Sequence, residues 1–85
     1  EKHLPIFINE AKDTKQNRYV RMISINKGLY KFRDNKEVVD TLILLLGDKD
    51  YNILEAAYFV LAKSNNETAK LFTNGFSYGV ANATL

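Results

Sequence analysis

The chain of 85 residues contains no cysteine, one histidine and one proline. The absence of cysteine excludes disulfide bonds and thiolate metal sites, and it fits a reducing compartment. His3 has no second imidazole with which to share a metal, and it stands at an end that is expected to fray. No apolar run approaches the roughly 20 residues that a membrane-spanning helix needs. We therefore expect an intracellular protein, cytoplasmic or nuclear, with no metal, no cofactor and no membrane partner.

Catalytic motifs are also scarce. Residues 75–79 match the Gly-x-Ser-x-Gly nucleophile elbow, but that mechanism needs a histidine and an acid later in the chain, and none follows. There is no Gly-x-x-x-x-Gly-Lys phosphate loop, and the acidic residues lack the spacing of a metal-binding loop. The sequence therefore predicts a protein that is not an enzyme.

Two helical patterns of similar length occupy residues 37–61 and are separated only by the short segment 46–50. Their apolar residues recur at i, i+3, i+4 and i+7, which predicts an antiparallel helical hairpin. The repeating positions are Val39, Leu42, Ile43 and Leu46, followed by Leu54, Ala57, Tyr58 and Leu61. Both helices carry further apolar residues outside these stripes, so each needs neighbours on more than one side. A hairpin of this kind is expected to belong to a stack.

The first third of the chain predicts another hairpin. Its first helix follows Pro5 and is short, and residues 12–16 form a polar turn. Residues 17–32 then predict a longer helix with one apolar side. Asn26 falls within that apolar arc and would need a hydrogen-bond partner if it were buried. The opposite, polar side is expected to hold Arg21, Ser24, Gly28 and Lys31.

Capping signals mark the later helices. Residues 34–37 resemble a capping box that opens the third helix, and Asp50 is placed to cap the fourth. Residues 64–67 read Ser-x-x-Glu, a second capping box, before a fifth helix that is expected to run to about Thr73. The Asn-Gly pair at 74–75 is expected to stop that helix, and residues 76–85 would begin a sixth.

A competing interpretation keeps part of the chain in strands. Residues 19–25 are rich in β-branched and aromatic residues, and the segment 26–28 followed by alternating residues 29–33 could close a β-hairpin. A second candidate hairpin lies at residues 71–78. The alternative to an all-α fold is thus a small α+β domain with a β-hairpin near residues 19–33.

Internal repetition favours the helices. The apolar stripe of the first helix (Leu4, Phe7, Ile8 and Ala11) maps onto Val39, Leu42, Ile43 and Leu46 with a shift of 35, and residues 17–24 map onto residues 50–57 with a shift of 33. The difference of two residues falls in the connecting turn, where repeats tolerate it. The spacing of Asp50, Ile53, Ala57 and Leu61 resembles the second helix of a HEAT or armadillo repeat. Residues 17–24 resemble the same segment, including the Val-Arg pair of that family at Val20 and Arg21.

The resemblance implies an all-α fold in which antiparallel hairpins stack as a short α-solenoid whose inner surface binds proteins or peptides. Repeat one would span about residues 3–33 and repeat two about 34–64, with a further repeat beginning at about 65–85. The ladder asparagine of peptide-binding armadillo repeats is absent near Ala62, so the resemblance does not extend to nuclear-localisation-signal receptors. Two repeats leave apolar faces exposed, which predicts self-association or contact with flanking repeats. We interpret a chain that begins at Glu1 without methionine as a trimmed fragment or processed product.

The predicted core consists of apolar residues from all the predicted hairpins and from the fifth helix. Its members are Phe7, Ile8, Met22, Ile23, Leu42, Ile43, Leu46, Ala57, Leu61 and Leu71.

Charge points to the function. The net charge is only +2, but residues 1–36 hold nine basic and four acidic residues, and residues 37–85 hold three and six. The basic half predicts a scaffold or adaptor that binds an acidic protein partner. The expected binding residues are Lys12, Lys15, Arg18, Arg21, Lys27 and Lys31. Nucleic-acid binding is the alternative, because Tyr19 and Tyr30 could stack on bases, and a small regulatory or inhibitory protein is a further one.

Overall fold

A computed structural model describes residues 3–74, and all of its regular structure is helical. The helices are α1 (Leu4–Lys12), α2 (Arg18–Ile23), α3 (Lys36–Leu45), α4 (Tyr51–Ala62) and α5 (residues 67–74). The all-α prediction is confirmed for this part of the chain. The α+β alternative is not supported, because residues 19–33 contain no strand. The proposed stop at residues 74–75 and the sixth helix lie at or beyond the end of the described residues.

The helices form two hairpins that pack side by side. In the first hairpin, α2 is continued by a π-helical turn at Ser24–Gly28 and then by a 3-10 turn at Leu29–Phe32. Helix α1 packs against α2 and against the π-helical turn. In the second hairpin, α3 packs against α4. Between the hairpins, α1 contacts α3 and α2 contacts α4. The first helices of the hairpins thus make one layer and the second helices make the other.

The core lies between these two layers. Among residues 3–74 it contains fifteen buried apolar residues, namely Leu4, Ile8, Ala11, Ile25, Leu29, Val38, Val39, Leu42, Leu45, Ile53, Ala56, Ala57, Val60, Leu61 and Ala69. Of the predicted core, Ile8, Leu42, Ala57 and Leu61 are buried, and Phe7, Met22, Ile43 and Leu46 are partly buried against it. Ile23 and Leu71 are exposed, so their assignment to the core is wrong.

The second helical stretch, residues 18–32, packs against the core with a different side from the one that its apolar residues predicted. Its buried residues are Arg21, Ser24, Ile25, Gly28 and Leu29, whereas Asn26 is exposed. This arc follows helical spacing but includes two polar residues and a glycine. The polar residues are tolerated because each has a partner on another element: Ser24 Oγ donates to Glu10 Oε1 at 2.8 Å, and Arg21 forms the ion pair described below.

Gly28 allows α1 to approach this stretch closely. A Cβ atom added at Gly28 would lie 2.5 Å from Cγ of Phe7. No side chain fits at that distance, so the phenyl ring occupies the space that any other residue would fill. The glycine that the sequence placed on the polar side is therefore a packing residue.

Asparagine and aspartate side chains start four of the described helices. Asn17 accepts a hydrogen bond from the N–H of Tyr19 and caps α2. Asn35 accepts hydrogen bonds from the backbone N–H groups of Glu37 and Val38 and caps α3. Asp50 caps α4, as predicted, by accepting from the N–H of Asn52. Asn66 accepts from the N–H groups of residues 68 and 69 and caps α5. The two predicted capping boxes are wrong in detail, since the caps are Asn35 and Asn66, one and two residues later than expected.

Asp34 and Ser64, which the sequence predicted as helix caps, instead take part in contacts between the two hairpins. Asp34 Oδ1 accepts from the N–H of Asn65 at 2.7 Å and from Ser64 Oγ at 3.0 Å. These two hydrogen bonds hold the pKa of Asp34 below its ordinary value. Beside them, Arg33 Nε donates to the carbonyl of Lys63 at 3.1 Å. The turn before α3 is thereby fixed to the turn before α5.

Candidate functional site

The turns at the other end of the hairpins are joined by two arginine–aspartate pairs. Because α1 and α3 run parallel in one layer, the turn that follows α1 and the turn that follows α3 reach the same edge of the molecule. Arg18 Nε donates to Asp50 Oδ2 at 2.7 Å, and Arg21 Nη2 donates to Asp48 Oδ2 at 2.6 Å. Both arginines come from α2, one helical turn apart, and both aspartates come from the turn before α4. The two bonds therefore hold hairpin to hairpin.

The inner pair, Arg21 and Asp48, is buried. Only 5% and 8% of the two side chains are exposed. Arg21 Nε also donates to the carbonyl of Ala11 at 3.0 Å, and Asp48 Oδ1 accepts from the N–H of Asp50 at 2.8 Å. Each charge thus has an opposite charge and a further hydrogen bond, which is what a buried ion pair requires. Arg21, one of the predicted partner-binding residues, is thus buried, and its charge is paired with that of Asp48.

The outer pair, Arg18 and Asp50, is more open to solvent. The side chains are 52% and 22% exposed. The hydrogen bond from Arg18 lowers the pKa of Asp50, and the same bond raises the pKa of Arg18. Because Asp50 also caps α4, one carboxylate serves both the start of that helix and the contact between the hairpins.

A groove lies beside these pairs, between the two turns. It is open on one side and has a volume of about 750 Å³. Its lining residues are Lys12, Thr14, Gln16, Arg18, Arg21, Leu44, Leu45, Gly47, Asp48, Lys49 and Asp50. The four cations outnumber the two aspartates, and the aspartates are both taken by the arginines. Within residues 3–74, the ammonium groups of Lys12 and Lys49 form no ion pair. The groove therefore offers two free positive charges beside the exposed side chain of Leu44.

The structure separates the predicted basic residues into different places. Lys12, Arg18 and the buried Arg21 line the groove, and Lys15 is exposed in the adjoining turn but outside the lining. Lys27 and Lys31 are exposed farther along the second helical stretch, on a side that does not line the groove. Lys49 was missed because it stands in the acidic part of the sequence. Lys49 lies between two aspartates in the turn before α4, and nothing in the sequence predicts that this turn lies beside the basic turn after α1.

No second kind of chemistry emerges from the described residues. Within residues 3–74, no group of three or more histidine, cysteine, aspartate and glutamate side chains could hold a metal ion. His3 is exposed, with its ring centroid 6.4 Å from that of Phe7. The Gly-x-Ser-x-Gly match at residues 75–79 lies outside the described residues. None of the helices within residues 3–74 has the length and apolar character required to cross a membrane.

Comparison with known proteins returns no relative: no protein-family description, curated protein or solved structure matches this chain.

Proposed function

We propose that this chain is a non-enzymatic protein-interaction module built from stacked helical repeats, and that the groove between its turns binds an acidic segment of a protein partner. The observation that carries the proposal is the pairing of equivalent turns. Side-chain contacts between the hairpins join residues 27 to 32 positions apart at one edge and 30 to 32 positions apart at the other. Contacts at a nearly constant separation are expected where one unit is followed by a similar unit shifted by about that length.

The packing of like helices supports the same interpretation. In a solenoid each hairpin contacts its neighbour through equivalent helices, and here α1 contacts α3 while α2 contacts α4. This arrangement supports the resemblance to HEAT and armadillo repeats, which stays a proposal. Intracellular function, in the cytoplasm or nucleus and without a cofactor, belongs to the same proposal and rests on the lack of cysteine.

The charge of the groove favours an acidic ligand. Carboxylates of a partner would pair with the free ammonium groups of Lys12 and Lys49, one on each side of the groove. Leu44, which is 62% exposed, would contact an apolar side chain of the same segment. Complementary charge of this kind mainly speeds association and selects the partner. Arg18 and Arg21 line the groove but offer no free charge to the ligand, because each is already paired with an aspartate.

Nucleic-acid binding is the second candidate, and one observation favours it. Tyr19 is exposed beside the basic turn, where it could stack on a base while Lys12 and Lys15 contact phosphates. Against it, the groove also contains Asp48 and Asp50, which would repel a phosphate backbone.

The experiment is affinity capture from cell extract with three purified proteins, each with and without nuclease. The groove variant is Lys12→Glu/Lys49→Glu. The matched control is Lys36→Glu/Lys70→Glu, which changes net charge equally at exposed positions outside the groove. Arg21 is left unchanged because breaking a buried ion pair would strongly destabilise the protein and obscure any effect on binding.

We expect the wild type and the control to recover the same protein partner, and the groove variant to lose it, with nuclease making no difference. Equal recovery by all three proteins would contradict the proposal. Loss of every partner after nuclease treatment would replace it with nucleic-acid binding.

A further inference from the structure

Large apolar side chains are exposed on the outer side of the layer formed by α2 and α4. They are Tyr19, Ile23, Tyr51 and Phe59, which are 70%, 58%, 67% and 53% exposed. Single exposed apolar residues are ordinary on protein surfaces, whereas a group on one surface of a small protein marks an interaction site. Two of these residues come from each helix.

Helical geometry places the four residues on one face. On α2 the buried side is set by Arg21, and residues 19 and 23 each stand two positions from it, or about 200° around the helix. On α4, residues 51 and 59 are opposite Ile53 and Leu61 in the same way. Because α2 and α4 pack side by side and both turn their buried sides toward α1 and α3, their opposite sides point in the same direction.

The register between the helices aligns these residues in rows. The bond from Arg18 to Asp50 joins positions 32 apart at one end, and the bond from Arg33 to the Lys63 carbonyl joins positions 30 apart at the other. Tyr19 therefore lies near the level of Tyr51. Between these two registers, Lys27 lies near the level of residues 57–59, and Lys31 near that of residues 61–63. We call this surface the α2/α4 face. It is formed by Tyr19, Ile23, Lys27, Lys31, Tyr51, Phe59 and Lys63.

Lysines border the apolar part of this face. Lys27 and Lys31 continue the exposed side of the second helical stretch, and Lys63 Nζ lies 5.4 Å from the centroid of the Phe59 ring. In the part of the chain that the structure describes, none of these three ammonium groups forms an ion pair. Glu55 lies on the same side of α4 and is exposed. The face thus combines aromatic and aliphatic contact area with an excess of positive charge.

We propose that the α2/α4 face docks a second protein segment, one that combines aromatic or aliphatic side chains with carboxylates. The apolar side chains would pack on Tyr19, Ile23, Tyr51 and Phe59, and the carboxylates would pair with Lys27, Lys31 and Lys63. Charge complementarity selects this occupant over a second copy of the chain. Two such faces brought together would place six lysines against two glutamates, which is repulsive. The proposal concerns a different surface from the groove and shares no residue with it.

The first test is NMR titration of the isotope-labelled protein with three synthetic peptides of equal length. One peptide alternates glutamate with phenylalanine and leucine, the second replaces the apolar residues by serine, and the third replaces glutamate by lysine. We expect the first peptide to bind at least about tenfold more tightly than the other two. Its chemical-shift changes should include the exposed residues of α2 and α4, and they should persist there in the groove variant Lys12→Glu/Lys49→Glu. Equal binding of the serine peptide, shifts confined to the groove, or no binding would overturn the proposal.

Variants then separate the two kinds of contact. Tyr19→Ser/Phe59→Ser removes apolar area, and Lys27→Glu/Lys63→Glu reverses charge; we expect each to weaken binding of the first peptide by at least about tenfold. The matched control Ile6→Ser/Leu71→Ser removes exposed apolar residues outside the face and should leave binding unchanged. So should the groove variant Lys12→Glu/Lys49→Glu, whose effect is confined to the other proposal.

Two further outcomes would overturn the proposal by naming another occupant. Concentration-dependent dimerisation that the Tyr19→Ser/Phe59→Ser variant abolishes would assign the face to a second copy of the chain. Binding of a single-stranded oligonucleotide to the same residues, as tight as that of the acidic peptide, would assign it to nucleic acid. The titration of the wild type decides between these outcomes even if a variant folds poorly.

Discussion

At the scale of single residues, the contact between Gly28 and Phe7 is the tightest constraint. Replacing Gly28 with alanine would put a methyl group 2.5 Å from the phenyl ring, so α1 or the ring must move. We expect Gly28→Ala to lower the free energy of unfolding by about 1 to 3 kcal/mol, the usual cost of overpacking. Urea unfolding followed by circular dichroism measures this change.

Gly47 provides the control for that substitution. A Cβ there would lie 3.6 Å from the carbonyl oxygen of Leu44, an ordinary contact, and the backbone of the described glycines is not in the left-handed region. Gly47→Ala should therefore be neutral or stabilise by up to about 1 kcal/mol through the unfolded chain. A Gly28→Ala variant as stable as Gly47→Ala would show that the phenyl ring has room to move.

Arg21 and Ile23 show why the burial of side chains was harder to predict from the sequence than the formation of helices. Counting apolar residues placed Ile23 inside and Arg21 outside, which is the reverse of what is found. Arg21 is buried because Asp48 and the carbonyl of Ala11 receive its donors. Those partners lie 27 and 10 residues away, and no local pattern in the sequence pairs them. Only the three-dimensional arrangement does.

At the scale of the elements, two aspartates in the turns make the stability of the fold depend on pH. Hydrogen bonds lower the pKa of Asp34 and of Asp50 in the folded protein. A carboxyl group with a lowered folded pKa stabilises the fold above its unfolded pKa of about 3.9, and that contribution is lost as pH falls through the folded value. The protein should therefore lose stability on acidification.

This dependence can be tested with the isosteric variant Asp34→Asn/Asp50→Asn. We expect the melting temperature of the wild type to fall between about pH 6 and about pH 3. The variant should melt at a lower temperature than the wild type at the higher pH and should lose less on acidification. An acid-induced decrease as large in the variant as in the wild type would mean that other carboxyl groups are responsible. Thermal melts across this pH range supply the measurement.

The elements themselves followed well from the sequence. Apolar periodicity predicted α1, α3 and α4, and the exact cap of α4 at Asp50 followed from its carboxylate. The caps at Asn35 and Asn66 were each missed in favour of an earlier oxygen-bearing residue. Both earlier residues, Asp34 and Ser64, bond to each other instead. A choice between adjacent capping residues is decided by such long-range partners, which sequence spacing does not contain.

At the scale of the whole molecule, the groove and the α2/α4 face both follow from the stacking of the hairpins. The predicted basic surface already contained three groove residues, Lys12, Arg18 and Arg21, because they come from one hairpin. Lys49 comes from a turn that only stacking brings near. Self-association and a continuing repeat stay predictions.

The stacking is tested most directly by a double-mutant cycle on the buried pair that joins the hairpins, Arg21 and Asp48. Arg21→Met and Asp48→Asn each leave an unpaired buried group, so each should lower the free energy of unfolding by about 3 to 5 kcal/mol. The control cycle uses Arg18→Met and Asp50→Asn at the more exposed pair, where solvent screening should make the coupling much smaller. Urea unfolding of the variants in both cycles gives the coupling energies.

If the hairpins stack as described, the double variant of Arg21 and Asp48 will be destabilised by less than the sum of its two single variants, with a coupling of at least about 1 kcal/mol. Losses that add to within about 0.5 kcal/mol would mean that the two side chains do not meet, and would contradict the stacking on which the groove and the face depend.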